Sequence, residues 1–368
     1  MIKPLTSLRI FFALMVFTSH WDFMGEKHVR FFSIYTNIFH EGFVGVGFFF
    51  VLSGFVLALN YKELICTKSI SFKDFWIARI ARIYPLHILT LLISIPIVFT
   101  EILSYRITWL IHLVTNTLLI QSFIPFSAEY FAFNSPSWSI SDETFFYLLF
   151  PFLILLFLRF QNARKLFFLI SLLVPVGMFF CPQQWQAAIF YINPLSRIFD
   201  FILGMMLYEI YQKNYFAALF KTRNKATKME IAAVFIFVLF FAFHPLIPKV
   251  YRYSCYYWVP IACILFVFAK ASGFISLLLS NKWLVLCGEF SFGFYLFHEL
   301  VIQYFSKYRP AYIVNDFVFL GMISITTILL SYLSLRYFEQ PCNRWIKRGF
   351  FLFQSERKLK IFFNKANR

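Results

Sequence analysis

Charge is what this sequence has least of. Only 14% of its 368 residues are Asp, Glu, Lys or Arg, against about 25% in a soluble domain. Hydrophobic residues make up 60% of the chain and mean hydropathy is +0.71, which leaves little room for a soluble domain. Cysteine is present without organisation. None of Cys66, Cys181, Cys255, Cys263, Cys287 and Cys342 forms a CxxC pair or a zinc-type spacing, so they read as small apolar residues and no metal is expected. No internal repeat is visible, which disfavours transporters built from duplicated halves. No small-residue cleavage site follows the first apolar run, so a cleaved leader is not expected. Acidic residues number 17 against 34 basic ones, giving a net charge of +17. That excess raises nucleic acid as a partner, but no basic face alternates with a soluble fold, and no nucleic acid is expected.

What the chain does have is a series of apolar runs, each near the roughly 20 residues that cross a bilayer. They fall at 8–24, 42–60, 83–100, 144–160, 165–181, 195–212, 229–245, 255–270, 284–304 and 315–336. The fold class is therefore all-α: a polytopic membrane bundle of about ten transmembrane helices. One more stretch, 107–123, is ambiguous, and charge decides it. If it stays on one side, about 26 of the 34 basic residues share the side of the N-terminus; if it crosses, that asymmetry collapses. Ten spans with both termini cytoplasmic follow, with 107–123 in the outer interface or re-entrant. Residues 1–345 form the transmembrane domain. The basic tail 346–368, with interleaved Phe, reads as a helix lying on anionic membrane lipids.

Several polar residues inside these runs need a reason. Arg9 and His20 are eleven residues apart, which on a helix is about 20° past three full turns and about 16 Å along the axis. They would share a face, and a charge near a span's centre costs about 2.5–3.5 kcal/mol unless it meets protein or water. Taken alone, Arg9 is equally a snorkelling anchor and His20 an interfacial histidine. Arg79 and Arg82, three apart at the mouth of the third run, suit a phosphate clamp or simple positive-inside anchoring. In "NSPSWSISDETFFYLLFP", Ser139 or Ser141 would cap the next helix, with Asp142 and Glu143 in its first turn on the outer side. His298, in "GEFSFGFYLFHELV", could face the same cavity as His20. Glu339 could pair with the cytoplasmic arginines.

In this order, these residues resemble the acyltransferase 3 family of integral membrane acyltransferases, from Leu8 to about Trp345. The matching elements are Arg9-x10-His20, "GVGFFFVLSGF", Arg79-x-x-Arg82 with Tyr84-Pro85, Trp138-Ser139-x-Ser141-x-Glu143, "SFGFYLFH" and "FEQP". Asp142 stands where a small apolar residue is commoner, so which carboxylate acts is left open. The resemblance implies a multi-pass protein of the bacterial cytoplasmic (inner) membrane. It also implies O-acyl transfer, usually of acetyl, from cytoplasmic acyl-CoA (acetyl-CoA as donor substrate) to a hydroxyl of a cell-surface or lipid-linked glycan such as lipopolysaccharide O-antigen. The chain would be a stand-alone type without an extracytoplasmic hydrolase-like domain. On that reading Arg9, Arg79, Arg82 and Tyr84 bind the coenzyme. His20 is the general base or acyl carrier, with Asp142 or Glu143 orienting it or holding the sugar. Trp138, Ser139, Ser141 and His298 contact the acceptor. A transporter or flippase of a lipid-linked glycan is the alternative; it explains ten spans but not an arginine clamp matched to a histidine.

Overall fold

Helices in this chain begin where a short polar side chain precedes an apolar run. Ser71, Asn193, Thr222, Asn281 and Asn315 each accept a hydrogen bond from a backbone amide of the first turn that follows. The protein is described by a computed structural model covering residues 2–22, 29–99, 105–309 and 315–348. Among these residues there is no strand. The principal helices are α1 (Lys3–Thr18), α2 (Val44–Cys66), α3 (Phe72–Ser94), α4 (Arg106–Leu118), α5 (Trp138–Arg159), α6 (Gln161–Ser171), α7 (Leu173–Phe180), α8 (Pro194–Lys213), α9 (Arg223–Phe243), α10 (Trp258–Ala269), α11 (Lys282–Lys307) and α12 (Asp316–Ser334).

Among the described residues, seven helical stretches are long and apolar enough to cross a bilayer, or eight if Gln183–Ile192 and α8, bent by 43°, make one span. The other two apolar segments of the sequence are the shorter helices α1 and Cys255–Ala269. The protein is thus a multi-pass, all-helical membrane protein. Helix α4 has thirteen residues. At 1.5 Å each it is about 20 Å long, short of the ~30 Å hydrocarbon core. It exposes Ile107, Leu110, Ile111, Val114 and Leu118 and ends at Leu119 in the left-handed region, so it fits an interfacial position better than a span. The tail from 349 lies outside the described residues.

Boundaries differ from the sequence reading for one physical reason: hydropathy reports the apolar part of a helix, while the helix itself runs on through its charged turns. Helix α3 starts at Phe72, so Arg79 and Arg82 lie within it and Pro85 is internal. Helix α5 starts at Trp138 after Ser137, so neither Ser139 nor Ser141 is its cap, and Asp142 and Glu143 lie beyond its first turn. Helix α1 starts at Lys3 and stops at Thr18, so His20 follows the helix rather than riding on it.

Close backbone contacts set the arrangement around α1, α2, α8 and α11. A Cβ on Gly54 would fall 1.9 Å from the Phe201 carbonyl oxygen, and one on Gly204 would fall 1.9 Å from that of Val51. Helices α2 and α8 therefore meet through small residues, the usual way helices approach in lipid. A Cβ on Gly288 would fall 1.8 Å from the Thr6 carbonyl oxygen, and the His20 and His298 rings are 4.9 Å apart further along. These two contacts make α1 and α11 parallel neighbours. Phe48, Phe50, Phe55, Phe146, Phe150 and Phe201 fill the centre, fully buried. A second buried centre is ionic. Arg197 pairs with Asp200 at 2.8 Å and reaches the Tyr253 carbonyl. Glu41 pairs with Arg252 and accepts from Tyr257 at 2.8 Å.

Candidate active site

The arginines of α3 and α1 converge on one cavity between α1, α2, α3, α5 and α11. Arg9, Arg79 and Arg82 all line it, together with Ser53, Ser139, Glu143, Tyr147, Ser291 and Tyr295. Its volume is about 190 Å³. Each α3 arginine is held in place. Arg79 donates to the Tyr61 hydroxyl at 2.7 Å and lies over that ring at 4.9 Å. Arg82 sits 5.7 Å from the centre of the Phe292 ring, with Nη1 3.7 Å from the buried Glu339 carboxylate. Glu339 lies in a π turn, Leu335–Glu339, that continues α12. The carboxylate inside the cavity is Glu143, which accepts from the Tyr147 hydroxyl one turn along at 3.1 Å and feels Arg9, Arg82 and Arg79. Three guanidiniums against one lining carboxylate leave the cavity cationic, and forked donors of this kind suit phosphate oxygens.

The other residues singled out from the sequence fall into two groups. Away from the cavity, Tyr84 donates its hydroxyl to the Thr117 carbonyl at 3.0 Å. Trp138 is buried in the core, 4.8 Å from the Tyr191 ring. Ser141 donates to the Leu119 carbonyl at 2.6 Å and lies 2.7 Å from the Ser122 hydroxyl. Asp142 is fully buried, in the field of Arg197 and Asp200 rather than of the three lining arginines. Ser139 does reach the cavity, where its hydroxyl meets that of Tyr295 at 2.8 Å.

His20 and His298 form the second group, a pair just past the cavity's end. His20 Nδ1 is 2.8 Å from the Val16 carbonyl and His298 Nδ1 is 2.6 Å from that of Tyr295. A carbonyl only accepts, so each Nδ1 carries the proton and each Nε2 keeps a lone pair; the tautomers are assigned from these bonds. Tyr295 lines the cavity and His298 follows three residues later, about 4.5 Å along the axis. Tyr295 is therefore the wall between the arginine cavity and the histidine pair. The carboxylate grouped with His20 is Glu299, not Asp142 or Glu143. Sequence reasoning gave no role to Tyr147 and Tyr295, which line the cavity, or to Tyr61, which holds Arg79 there. The one available signal was spacing: Tyr147 stands four residues after Glu143, and Tyr295 stands three before His298.

Comparison with known proteins places the chain in a family. Residues 4–336 match the profile of a family described as Acyltransferase domain. The chain is similar to the acyltransferase MdmB of Streptomyces mycarofaciens, 29% identical over 338 residues, covering 82% of this chain and 79% of that protein. It is also similar to the peptidoglycan O-acetyltransferase OatA of Listeria monocytogenes, 26% identical over 359 residues. That match covers 89% of this chain and 55% of OatA, so the chain spans about half of OatA's length. No solved structure matches it.

Proposed function

The chain belongs to the acyltransferase family that its residues 4–336 match, and on that premise we propose that it moves an acyl group, acetyl in the simplest case, from acyl-CoA to a hydroxyl of a cell-envelope glycan. The observation that carries the reading is the gathering of Arg9, Arg79 and Arg82 on one cavity also lined by Tyr295, whose ring lies 5.7 Å from that of His298 in the His20–His298 pair. The arginines hold the phosphates of the coenzyme. Its pantetheine arm follows the face of α11 marked by Ser291 and Tyr295 towards the histidines. His20 takes the acceptor's proton through Nε2 while its Nδ1–H stays on the Val16 carbonyl. The acyl carbon then passes to the acceptor oxygen, and the proton on His20 leaves with the coenzyme thiol. An acyl-His20 intermediate is the covalent variant of the same step.

The membrane is the bacterial cytoplasmic membrane, with the arginine end facing the cytoplasm, where acyl-CoA is made. Only the acyl group crosses; the coenzyme and the glycan stay on their own sides. One named relative acts on peptidoglycan, so peptidoglycan joins lipopolysaccharide O-antigen among the acceptors to test. The decisive experiment feeds labelled acetyl-CoA to membranes with and without the protein and follows label into surface glycans by mass spectrometry. Glycans that gain no protein-dependent acetyl, with acetyl-CoA unconsumed, would refute the reading and favour a transporter.

A further inference from the structure

His20, His298 and Glu299 offer three ligand atoms that all lie within 4.8 Å of one another. Their surroundings leave lone pairs, not protons, at the centre. Both imidazoles spend Nδ1–H on a backbone carbonyl, Val16 for His20 and Tyr295 for His298. Glu299 Oε1 accepts from Gln303 Nε2 at 2.9 Å, which leaves Oε2 available as a ligand. His298 is fully buried, and its Nε2 has no hydrogen-bond partner. A buried nitrogen without a partner is costly. Two imidazoles and a carboxylate, each steadied from behind by its own hydrogen bond, is how proteins present ligands to a divalent ion.

We propose that His20, His298 and Glu299 bind a divalent cation of the zinc class, and that cation binding and acyl transfer exclude each other. Imidazole nitrogen favours zinc, copper, nickel and iron over magnesium and calcium, which take oxygen. In a tetrahedral zinc site, ligand atoms about 2.1 Å from the metal stand about 3.4 Å apart. Closing from 4.8 Å or less takes a rotation of the half-buried Glu299 and a small shift of His20, which lies beyond the end of α1. On coordination a water leaves the hydrated ion, His20 Nε2 gives its lone pair to the metal, and no proton is released because each Nδ1 keeps its own. A metal-bound His20 has no lone pair left for the acceptor's proton. That exclusion rests on the proposed function; the binding does not.

The test uses the full chain purified in detergent and stripped with EDTA. Equilibrium dialysis against Zn²⁺ reads stoichiometry, and Co²⁺ in its place reports coordination by its visible absorption. One zinc per chain is expected, with affinity falling about a hundredfold or more in His298→Gln and in Glu299→Gln, since loss of a supporting partner alone costs 10–100-fold. His112→Gln is the control. It removes another histidine–carboxylate pair, His112 with Glu129, and leaves zinc affinity unchanged. Circular dichroism and gel filtration establish that each variant is folded. No zinc bound at micromolar concentration, or equal binding by folded wild type and His298→Gln, overturns the site. Zinc that binds one to one without suppressing acetyl transfer overturns the exclusion and leaves the site standing.

Discussion

Arg82→Ala separates donor binding from fold stability in a way the structure makes calculable. Two things are lost at once. Arg82 is one of three guanidiniums on the cavity, and it lies 3.7 Å from Glu339, whose side chain is 3% exposed. Removing a charge-assisted bond to a phosphate costs about 1.5–3 kcal/mol, which is about a 10- to 150-fold rise in the coenzyme Kd at 1.4 kcal/mol per tenfold. Separately, the truncation strands the Glu339 carboxylate, a stability loss of about 1–3 kcal/mol. Arg82 is itself a third exposed, which screens the pair and places the loss at the low end of that range. The double variant Arg82→Ala, Glu339→Gln removes the stranded charge and is expected to recover thermal stability but not coenzyme affinity. Arg82→Lys keeps the charge without the fork and recovers affinity only in part. Calorimetric titration of purified protein with acetyl-CoA, paired with melting curves, reads both quantities. If folded Arg82→Ala binds acetyl-CoA like wild type, Arg82 is not part of a phosphate clamp. If the double variant regains affinity together with stability, Arg82 acts only through the fold.

Other expectations follow from the same geometry. His20→Asn keeps a polar side chain that takes no proton at neutral pH, so acetyl transfer per folded molecule should fall about 10²–10⁴-fold with coenzyme affinity retained; near-wild-type transfer removes His20 from the chemistry. Acyl-CoA supplied without acceptor, followed by mass spectrometry of the protein, traps an acyl-His20 if the step is covalent and leaves the chain unmodified if His20 is a base. A topology reporter fused after Lys225 should be accessible from the cytoplasm, and access only from outside refutes the orientation. Gly204→Val places side-chain carbon against the Val51 carbonyl on α2 and should lower the yield of folded protein in the membrane; unchanged yield and melting temperature refute the α2–α8 contact. Tyr295→Phe removes the hydroxyl that meets Ser139 and donates to the Pro136 carbonyl and should destabilise by about 1 kcal/mol; an unchanged melting temperature shows those bonds contribute nothing net.

Much of this was legible in the chain before any coordinates, and what was not has identifiable causes. Apolar runs marked the spans because the bilayer demands them. The Arg79–Arg82 spacing placed both on one face because a helix turns 100° per residue, and both do line the cavity. The Arg9–His20 reasoning assumed an unbroken helix; α1 ends at Thr18, yet both residues still lie beside α11. What sequence could not show is which face of α5 looks inward. Asp142 and Glu143 are adjacent, and adjacent helical residues point about 100° apart. Only the packing of α2, α3 and α8 decides that Glu143 lines the cavity with the arginines while Asp142 is buried outside that lining. Tyr61 stayed silent because a tyrosine among so many aromatics stands out by nothing, and Tyr147 and Tyr295 offered only their spacing from Glu143 and His298.

The position of Tyr295 ties the two ends of the site together. Its ring borders the arginine cavity, its hydroxyl is bound to Ser139 and Pro136 of the segment leading into α5, and its carbonyl holds His298 Nδ1. One residue thus borders the arginine-lined cavity and fixes the tautomer of a histidine beside His20. If the thioester is to reach His20, the ring must turn aside, and that breaks hydroxyl bonds to Ser139 and Pro136 without touching the backbone bond to His298. The histidine pair would then keep both Nδ1–H bonds, and with them the lone pairs on Nε2, while the wall opens. The same separation explains why Glu143 lies among the arginines rather than beside His20. A carboxylate there moderates three like charges, whereas the Nδ1–H of His20 is held by the Val16 carbonyl.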